Sequence, residues 1–286
     1  MAAQDLAEIS GEELIPGFGL EVIDFDINTA SPAEVAAISD AFQKKGALVL
    51  RNQTLDADTL SAFAAKFGTL EGNKIQDFTL PGHPETYVLS NKIVDGKPIG
   101  AHLDGITWHT DGTYLEFPPM LTLLYCLETP PEGGETLVAD ASAAFYALPK
   151  DEQDRLDQMD VLHSYNWFME TRAINGKQLS DEEKRENPDV IHPFVRTHPV
   201  DGRKAFFIST GAAKEIIGLP EEEGRALVKA MAEHVTKPEF VYSHKWRKGD
   251  LLMWDDRITL HRASMYDDKK YERHMWRIWV RGERPV

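Results

Sequence analysis

The chain has 286 residues, 42% of them hydrophobic and 27% charged, with a formal net charge of −16. That composition belongs to an ordinary globular protein and excludes disordered, collagen-like and coiled-coil chains. The acidic balance argues against a nucleic-acid partner and against an anionic membrane surface, since both need clustered Lys and Arg.

In chain order, residues 1–13 are acidic and lack the basic-then-apolar order of a signal peptide. Ser31-Pro32-Ala33-Glu34 is a capping box with proline at the first helical position. Val35, Ile38 and Phe42 follow at helical spacing, and Gly46 closes that helix. Residues 47–50 read as a short buried strand. A second helix is expected from Asp56, with Leu60, Phe63 and Phe67 on one face and Gly68 at its end. From 71 to 105 the pattern loosens, and only Tyr87-Val88-Leu89 looks like a strand. A segment this long is more than a passive connection, so 71–105 is expected to act as a lid, as is 165–192.

Strand-like runs then recur at 121–127, 135–139, 204–208, 239–242, 250–254, 258–260 and 271–280, several bounded by turn residues such as Pro130-Pro131-Glu132-Gly133-Gly134. One helix, 220–235, interrupts them, and polar 175–187 reads as a mobile insertion. Many short strands with few helices predict a sandwich or jelly roll, mainly β with flanking helices, in a single domain over 1–286. No apolar run approaches the ~18 residues of a membrane span. The single cysteine, Cys126, excludes a disulfide framework and a multi-cysteine zinc site. A cytoplasmic location is expected.

Trp108-His109-Thr110-Asp111 is the first segment loaded with chemistry. In extended chain, residues two apart project to one side, so His109 and Asp111 offer an imidazole and a carboxylate together. His261 is the candidate third ligand. Two histidines and one carboxylate on one face leave open positions on a metal, as in non-haem Fe(II) oxygenases. By spacing alone, an ordinary His–Asp hydrogen-bonded pair with a core histidine is the favoured reading. A basic strip lies further on: 269–286 holds six Lys/Arg against two Glu, a local charge of +4. As a strand, Arg273, Met275, Arg277, Trp279 and Arg281 share one face. Buried arginines need an anionic partner, and arginine suits planar carboxylates. A solvated helical stripe is the alternative, disfavoured by the aromatic and β-branched content.

Taken with Pro118-Pro119, Pro131-Glu132-Gly133-Gly134-Glu135-Thr136, Val195-Arg196-Thr197-His198, Gly202-Arg203-Lys204 and Gly249-Asp250-Leu251-Leu252-Met253-Trp254-Asp255, these segments fall in one order. In that order the chain resembles the TauD/TfdA family of Fe(II)/2-oxoglutarate-dependent dioxygenases. The resemblance implies a double-stranded β-helix, a cupin-like jelly roll, and a reaction that consumes 2-oxoglutarate and O2 and yields succinate and CO2. It implies Fe(II) on His109, Asp111 and His261. It also implies the distal carboxylate of 2-oxoglutarate on Arg273 and the Thr136 hydroxyl, with Trp254 beside the cosubstrate or simply packed in the core. Because Asp111 is present, where related halogenases lack the carboxylate, hydroxylation is expected.

Arg277 matches the arginine that contacts an anionic substrate in some members. Within the family the chain looks closer to the aryloxyalkanoate branch, although Gly112-Thr113 replace serines there. Lys74, Lys97 and His198 are further candidates for contact with the substrate anion. Solvated loop charges, for the lysines, and a turn-closing histidine are the plainer alternatives. Family members are commonly dimers, so a homodimer is the default. The rival readings are a Zn- or Mn-dependent jelly-roll hydrolase or isomerase and a non-catalytic jelly-roll binding module. A serine hydrolase lacks its Gly-x-Ser-x-Gly elbow, and a nucleotide-binding fold lacks its glycine-rich motifs.

Overall fold

A computed structural model describes residues 9–72, 76–171 and 178–286. The chain starts with a hairpin, β1 (Gly11–Ile15) and β2 (Phe18–Val22), turned at Pro16-Gly17. Helix α1 (Pro32–Lys45) is capped as expected: Glu34 N–H donates to Ser31 Oγ at 3.3 Å, and Ser31 N–H to the Glu34 carboxylate at 2.8 Å. Gly46, left-handed at φ 75°, ends it and leads into β3 (Ala47–Leu50). Helix α2 (Ala57–Ala64) stops four residues short of the Gly68 expected from sequence. Its last turn tightens, with Lys66 and Phe67 N–H bonding the carbonyls three residues back.

Four further strands of the major sheet and three of a minor sheet complete the frame. They are β4 (His83–Ser90), β5 (Pro119–Glu128), β6 (Thr136–Asp140), β7 (Val241–His244), β8 (Leu251–Asp255), β9 (Thr259–Ala263) and β10 (His274–Arg281). The major sheet runs β1-β2-β3-β8-β5-β10-β4 and continues to the two-residue strand Thr79–Leu80, while Leu70–Glu71 pairs with β10. Apart from the parallel β2–β3 pair, its strands are antiparallel. The minor sheet is β7-β6-β9. Alternation along β5, β8 and β10 sorts side chains to two faces. Leu121, Leu123, Tyr125, Met253, Ile278 and Val280 pack against Phe42, Leu60 and Phe63 of α1 and α2. On the other face Leu124, Cys126, Leu252, Trp254 and Met275 meet Val138 of the minor sheet. Truncating a side chain as buried as Phe42 costs about 3–5 kcal/mol. The jelly roll is therefore as expected, with the space between the two sheets open at one end.

A second core lies outside the barrel, under α3 (Ala141–Tyr146), α4 (Lys150–Leu156) and α7 (Glu221–Val235). It includes the small sheet of Asp160–His163 with Val190–Pro193 and Ala213–Ile216. Between them come α5 (Tyr165–Thr171) and α6 (Asp181–Glu186). Two expectations need correction. The 71–105 segment carries an eight-residue strand, β4, where three residues were expected, because β10 supplies its partner. In the described part of the expected mobile insertion, α6 is a helix with a full capping box from Ser180 and Glu183. Among the described residues no helix is long and apolar enough to cross a membrane.

Candidate active site

His109 and His261 are joined through their backbones: His109 N–H donates to the His261 carbonyl at 3.0 Å and receives the reciprocal bond at 2.7 Å. Residues around 109 form single bridges to His261 and Ser209, and the extended chain puts Asp111 on the same side as expected. After Asp111 the chain turns at Gly112 with φ 58°, where a Cβ would lie 2.6 Å from Pro119 Cδ. The ring centroids of the two histidines are 4.2 Å apart. Asp111 Oδ1 lies 3.5 Å from His109 Nε2, and Oδ2 lies 3.5 Å from His261 Nε2. One donor atom from each residue fits within 4.8 Å, close enough to surround one cation.

The electrostatics suit such a cation. Burial pushes the Asp111 carboxyl up, but His261, His109 and Arg277 outweigh it and hold the group well below the usual carboxylate range. Burial, with the neighbouring His109, brings His261 down to about 3, leaving a neutral imidazole. His109 Nδ1 lies 2.7 Å from the Thr107 carbonyl, which can only accept. Nδ1 therefore carries the hydrogen there, and Nε2 is turned to Asp111 and a metal.

Further in, Arg273 is 8% exposed and lies against the Gly133-Gly134 turn, its Nε donating to the Gly134 carbonyl at 3.2 Å. Its backbone N–H is fixed by Asn91 Oδ1 at 2.9 Å. Among the described residues no carboxylate pairs with its guanidinium, and burial lowers its pKa. A desolvated guanidinium without a counter-charge is costly, and an incoming carboxylate relieves that cost. Thr136 is buried in the same wall, and its Oγ1 accepts from Trp246 Nε1 at 3.1 Å, which leaves the hydroxyl hydrogen to donate elsewhere.

A cavity of about 450 Å³ connects these groups. His109, Asp111, His261, Thr136, Trp254, Arg273 and Arg277 all line it. The Trp254 ring lies 4.5 Å from His261, and its N–H donates to Asp256 Oδ1 at 3.1 Å. Trp254 thus lines the cavity while its ring packs in the core. Arg277 covers the Trp279 ring at 4.2 Å and the Tyr87 ring at 4.7 Å. The strand expectation for the basic strip holds from His274 to Arg281 and so for Arg277; Arg273 precedes the strand yet also reaches the cavity, and Arg281, beyond a register shift at Val280, is exposed beside Glu71.

Two of the expected substrate residues, Lys97 and His198, are not brought to the cavity. Lys97 is exposed on the small Ile93–Val94/Lys97–Pro98 hairpin. His198 is a correction: it is buried away from the cavity, with Nε2 3.1 Å from Asp255 Oδ2 and Nδ1 3.1 Å from Asp201 Oδ1. Its backbone closes the turn through His198–Arg203 and Gly202–His198 hydrogen bonds. Lys74 lies outside the described residues.

The sequence reading missed the outer wall, made by Tyr114, Trp167, Phe168, Thr210, Arg225 and Asp104. Tyr114 stacks on Phe168 at 6.0 Å and tilts against Tyr165 at 4.9 Å. Arg225 of α7 covers Trp167 at 4.4 Å while its Nε donates to Glu221 at 3.0 Å. The aromatic run Tyr165-Asn166-Trp167-Phe168 was the available signal.

A jelly roll carrying two histidines and a carboxylate at one end of such a cavity has the layout of the mononuclear non-haem iron oxygenases. The chain belongs to the taurine catabolism dioxygenase TauD, TfdA family, whose family model matches residues 10–279. It is 36% identical over 271 residues to the alpha-ketoglutarate-dependent 2,4-dichlorophenoxyacetate dioxygenase of Burkholderia sp. (strain RASC), covering 91% of this chain and 90% of that protein. It is 28% identical over 293 residues to the alpha-ketoglutarate-dependent sulfonate dioxygenase of Saccharomyces cerevisiae, covering 100% of this chain and 70% of the relative. Among solved structures, AAD-2 in complex with Mn(II) and N-oxalylglycine superposes with a TM-score of 0.81 at 30% identity, covering 97% of this chain and 99% of that one.

Proposed function

We propose that this chain is an Fe(II)- and 2-oxoglutarate-dependent dioxygenase that hydroxylates a small organic anion, with succinate and CO2 as coproducts. The observation that carries this reading is the meeting, in one cavity, of His109, Asp111 and His261 with the buried, carboxylate-free Arg273. The first three hold the iron. When bound, the iron supplies the redox chemistry by which O2 is activated at the expense of 2-oxoglutarate. Arg273 and the Thr136 hydroxyl bind the distal carboxylate of 2-oxoglutarate, and Trp254 walls the cosubstrate on the His261 side. The two sheets exclude water from this inner half.

Arg277 orients the primary substrate through its anionic group. It is held between Tyr87 and Trp279 and faces the open half of the cavity. The outer wall of Tyr114, Trp167 and Phe168 favours an aromatic or otherwise apolar body on that anion. An aryloxyalkanoate satisfies both demands, and a sulfonate satisfies the first.

Iron-loaded protein is expected to release succinate from 2-oxoglutarate in proportion to the loss of an aryloxyalkanoate or sulfonate drawn from a panel. Arg273→Ala should abolish release at modest 2-oxoglutarate. A protein that turned over substrate with Zn or Mn, without 2-oxoglutarate and unaffected by Arg273→Ala, would instead be the jelly-roll hydrolase or isomerase. Ligand affinity that survives His109→Ala, with no turnover, would mark a binding module.

A further inference from the structure

Three side chains lie side by side across the inner face of the major sheet. In register, Thr122 of β5 is opposite Trp254 of β8 and opposite Trp279 of β10. Each is buried, and each hydrogen-bonds Asp111 or its neighbour Asp256. Trp279 Nε1 donates to Asp111 Oδ2 at 3.0 Å. Thr122 Oγ1 lies 2.9 Å from the same Oδ2 and 2.6 Å from Asp256 Oδ2. Trp254 Nε1 donates to Asp256 Oδ1, which the Asp111 N–H approaches at 3.4 Å. The other oxygen, Asp111 Oδ1, faces His109 Nε2 at 3.5 Å and Arg277 Nη1 of β10 at 3.8 Å, while Oδ2, besides its two partners on the sheet, lies 3.5 Å from His261 Nε2.

We propose that Thr122 and Trp279 are positioning residues that hold Asp111 as a one-oxygen metal ligand. They engage Oδ2 from behind and turn Oδ1 toward the cation. This role rests on the proposed binding of a metal by His109, Asp111 and His261, and concerns how the carboxylate is aimed. A carboxylate free to rotate can close on a cation through both oxygens and take a position that O2 or cosubstrate needs. Two donors fixed in adjacent strands of a sheet prevent that rotation, because the strands cannot shift independently. Neither residue touches the reacting atoms by this role; both act through Asp111.

The test is Mn(II) binding to the full chain without cosubstrate or substrate, followed by the visible spectrum of the Co(II)-loaded protein. Thr122→Val keeps the shape and removes the hydroxyl, Thr122→Ser keeps the hydroxyl, and Trp279→Phe keeps an aromatic ring and removes the N–H. The Val and Phe variants are expected to weaken Mn(II) binding roughly 10–100-fold, the usual cost of losing such an outer partner, and to alter the Co(II) bands. The Ser variant should restore both. Wild-type affinity and an unchanged Co(II) spectrum in Thr122→Val and Trp279→Phe would overturn the proposal while leaving the metal site intact. Equal losses in Thr122→Val and Thr122→Ser would overturn it too, since only packing would then be at stake. If Thr122→Val does not fold, Trp279→Phe decides. Wild-type protein that binds no Mn(II) would overturn the metal reading itself, and this inference with it.

Discussion

Arg277 Nη1 stands 3.8 Å from Asp111 Oδ1 while its guanidinium covers the Trp279 ring at 4.2 Å. This cation is pinned by an aromatic face at the border between the metal ligands and the open half of the cavity. A substrate anion there gains a fixed, partly desolvated partner, and such contacts are worth about 2–3 kcal/mol. Arg277→Ala should therefore raise KM for the primary substrate roughly 30–150-fold. Half-saturation by 2-oxoglutarate should hardly move. Arg277→Lys should rescue only in part, because an ammonium neither forks onto a carboxylate nor stacks on Trp279 as flatly. Initial rates with each reactant varied in turn check this. A variant impaired only toward 2-oxoglutarate would reverse the division of labour between Arg277 and Arg273.

Arg273 separates binding from stability in an unusual way. Its guanidinium is buried without a carboxylate and makes a hydrogen bond to the Gly134 carbonyl. Removing it should cost the cosubstrate a charge-assisted pair, about 3 kcal/mol, so Arg273→Met should raise the 2-oxoglutarate requirement on the order of a hundredfold. The same change relieves the ligand-free protein of an unpaired buried charge. Thermal unfolding without ligands should then show Arg273→Met at least as stable as wild type. A clear loss of stability would mean that the guanidinium holds the fold together as well as the ligand.

The barrel was legible because its strands carry period-two patterns that agree with their turns, and the α1 box stated its own boundary. His109 and Asp111 were legible because their residue types are chemically restricted and their spacing is local. His261 was only one candidate for a third ligand and Arg273 only one of a strip of arginines needing an anion, and resemblance was needed to fix their roles, since their partners are distant in sequence. The small sheet of Asp160–His163, Val190–Pro193 and Ala213–Ile216 escaped because its strands are short and mix polar with apolar residues. Ala213–Ile216 is covered by α7, a contact that local pattern does not encode. Thr122 reads as any β-branched strand residue, and its role depends on the registers of β8 and β10. His198 misled for the same reason in reverse: nothing near it in sequence announces Asp255 as its partner.

Two histidines of that small sheet predict acid sensitivity. His163 is fully buried with neither ring nitrogen bonded, and burial lowers its pKa to about 3. His192, whose ring centroid is 5.9 Å away, is lowered by burial to about 4, with only Nε2 bonded, to the Leu115 carbonyl. Both stay neutral in the folded protein, while the unfolded chain takes up protons below about pH 6.5. Stability is thus full above that value and falls as pH drops toward the folded pKa values. Near pH 5 the loss is about 2 kcal/mol per histidine. His163→Leu, compared with wild type by urea unfolding, should gain that amount relative to wild type between about pH 7 and pH 5. A difference that does not change with pH would show that His163 takes up its proton in the fold as readily as in the unfolded chain.

Asp255 and Asp256 are adjacent and both buried, yet their surroundings set them to opposite states. Burial disfavours the charge on Asp255, but the fork of Arg257, at 2.6 and 2.8 Å, and His198 outweigh it and keep the carboxyl ionised. Asp256 has no cation in contact that compensates; burial and the charge of Asp111 push its pKa well above the usual range. That direction favours the protonated carboxyl. The Thr122 hydroxyl, with a single hydrogen, can then donate to Asp111 Oδ2 and accept from the Asp256 carboxyl, so every close contact has a donor. An asparagine amide can replace that neutral carboxyl, donating to Thr122 and accepting from Trp254. Asp256→Asn should change unfolding free energy by less than about 1 kcal/mol. Asp255→Asn strands the Arg257 charge in the interior and should cost about 3–5 kcal/mol. Urea unfolding of both variants near neutral pH makes the comparison. Losses of equal size would mean that Asp256 is ionised, and the hydrogen bond at Thr122 would then have to run the other way.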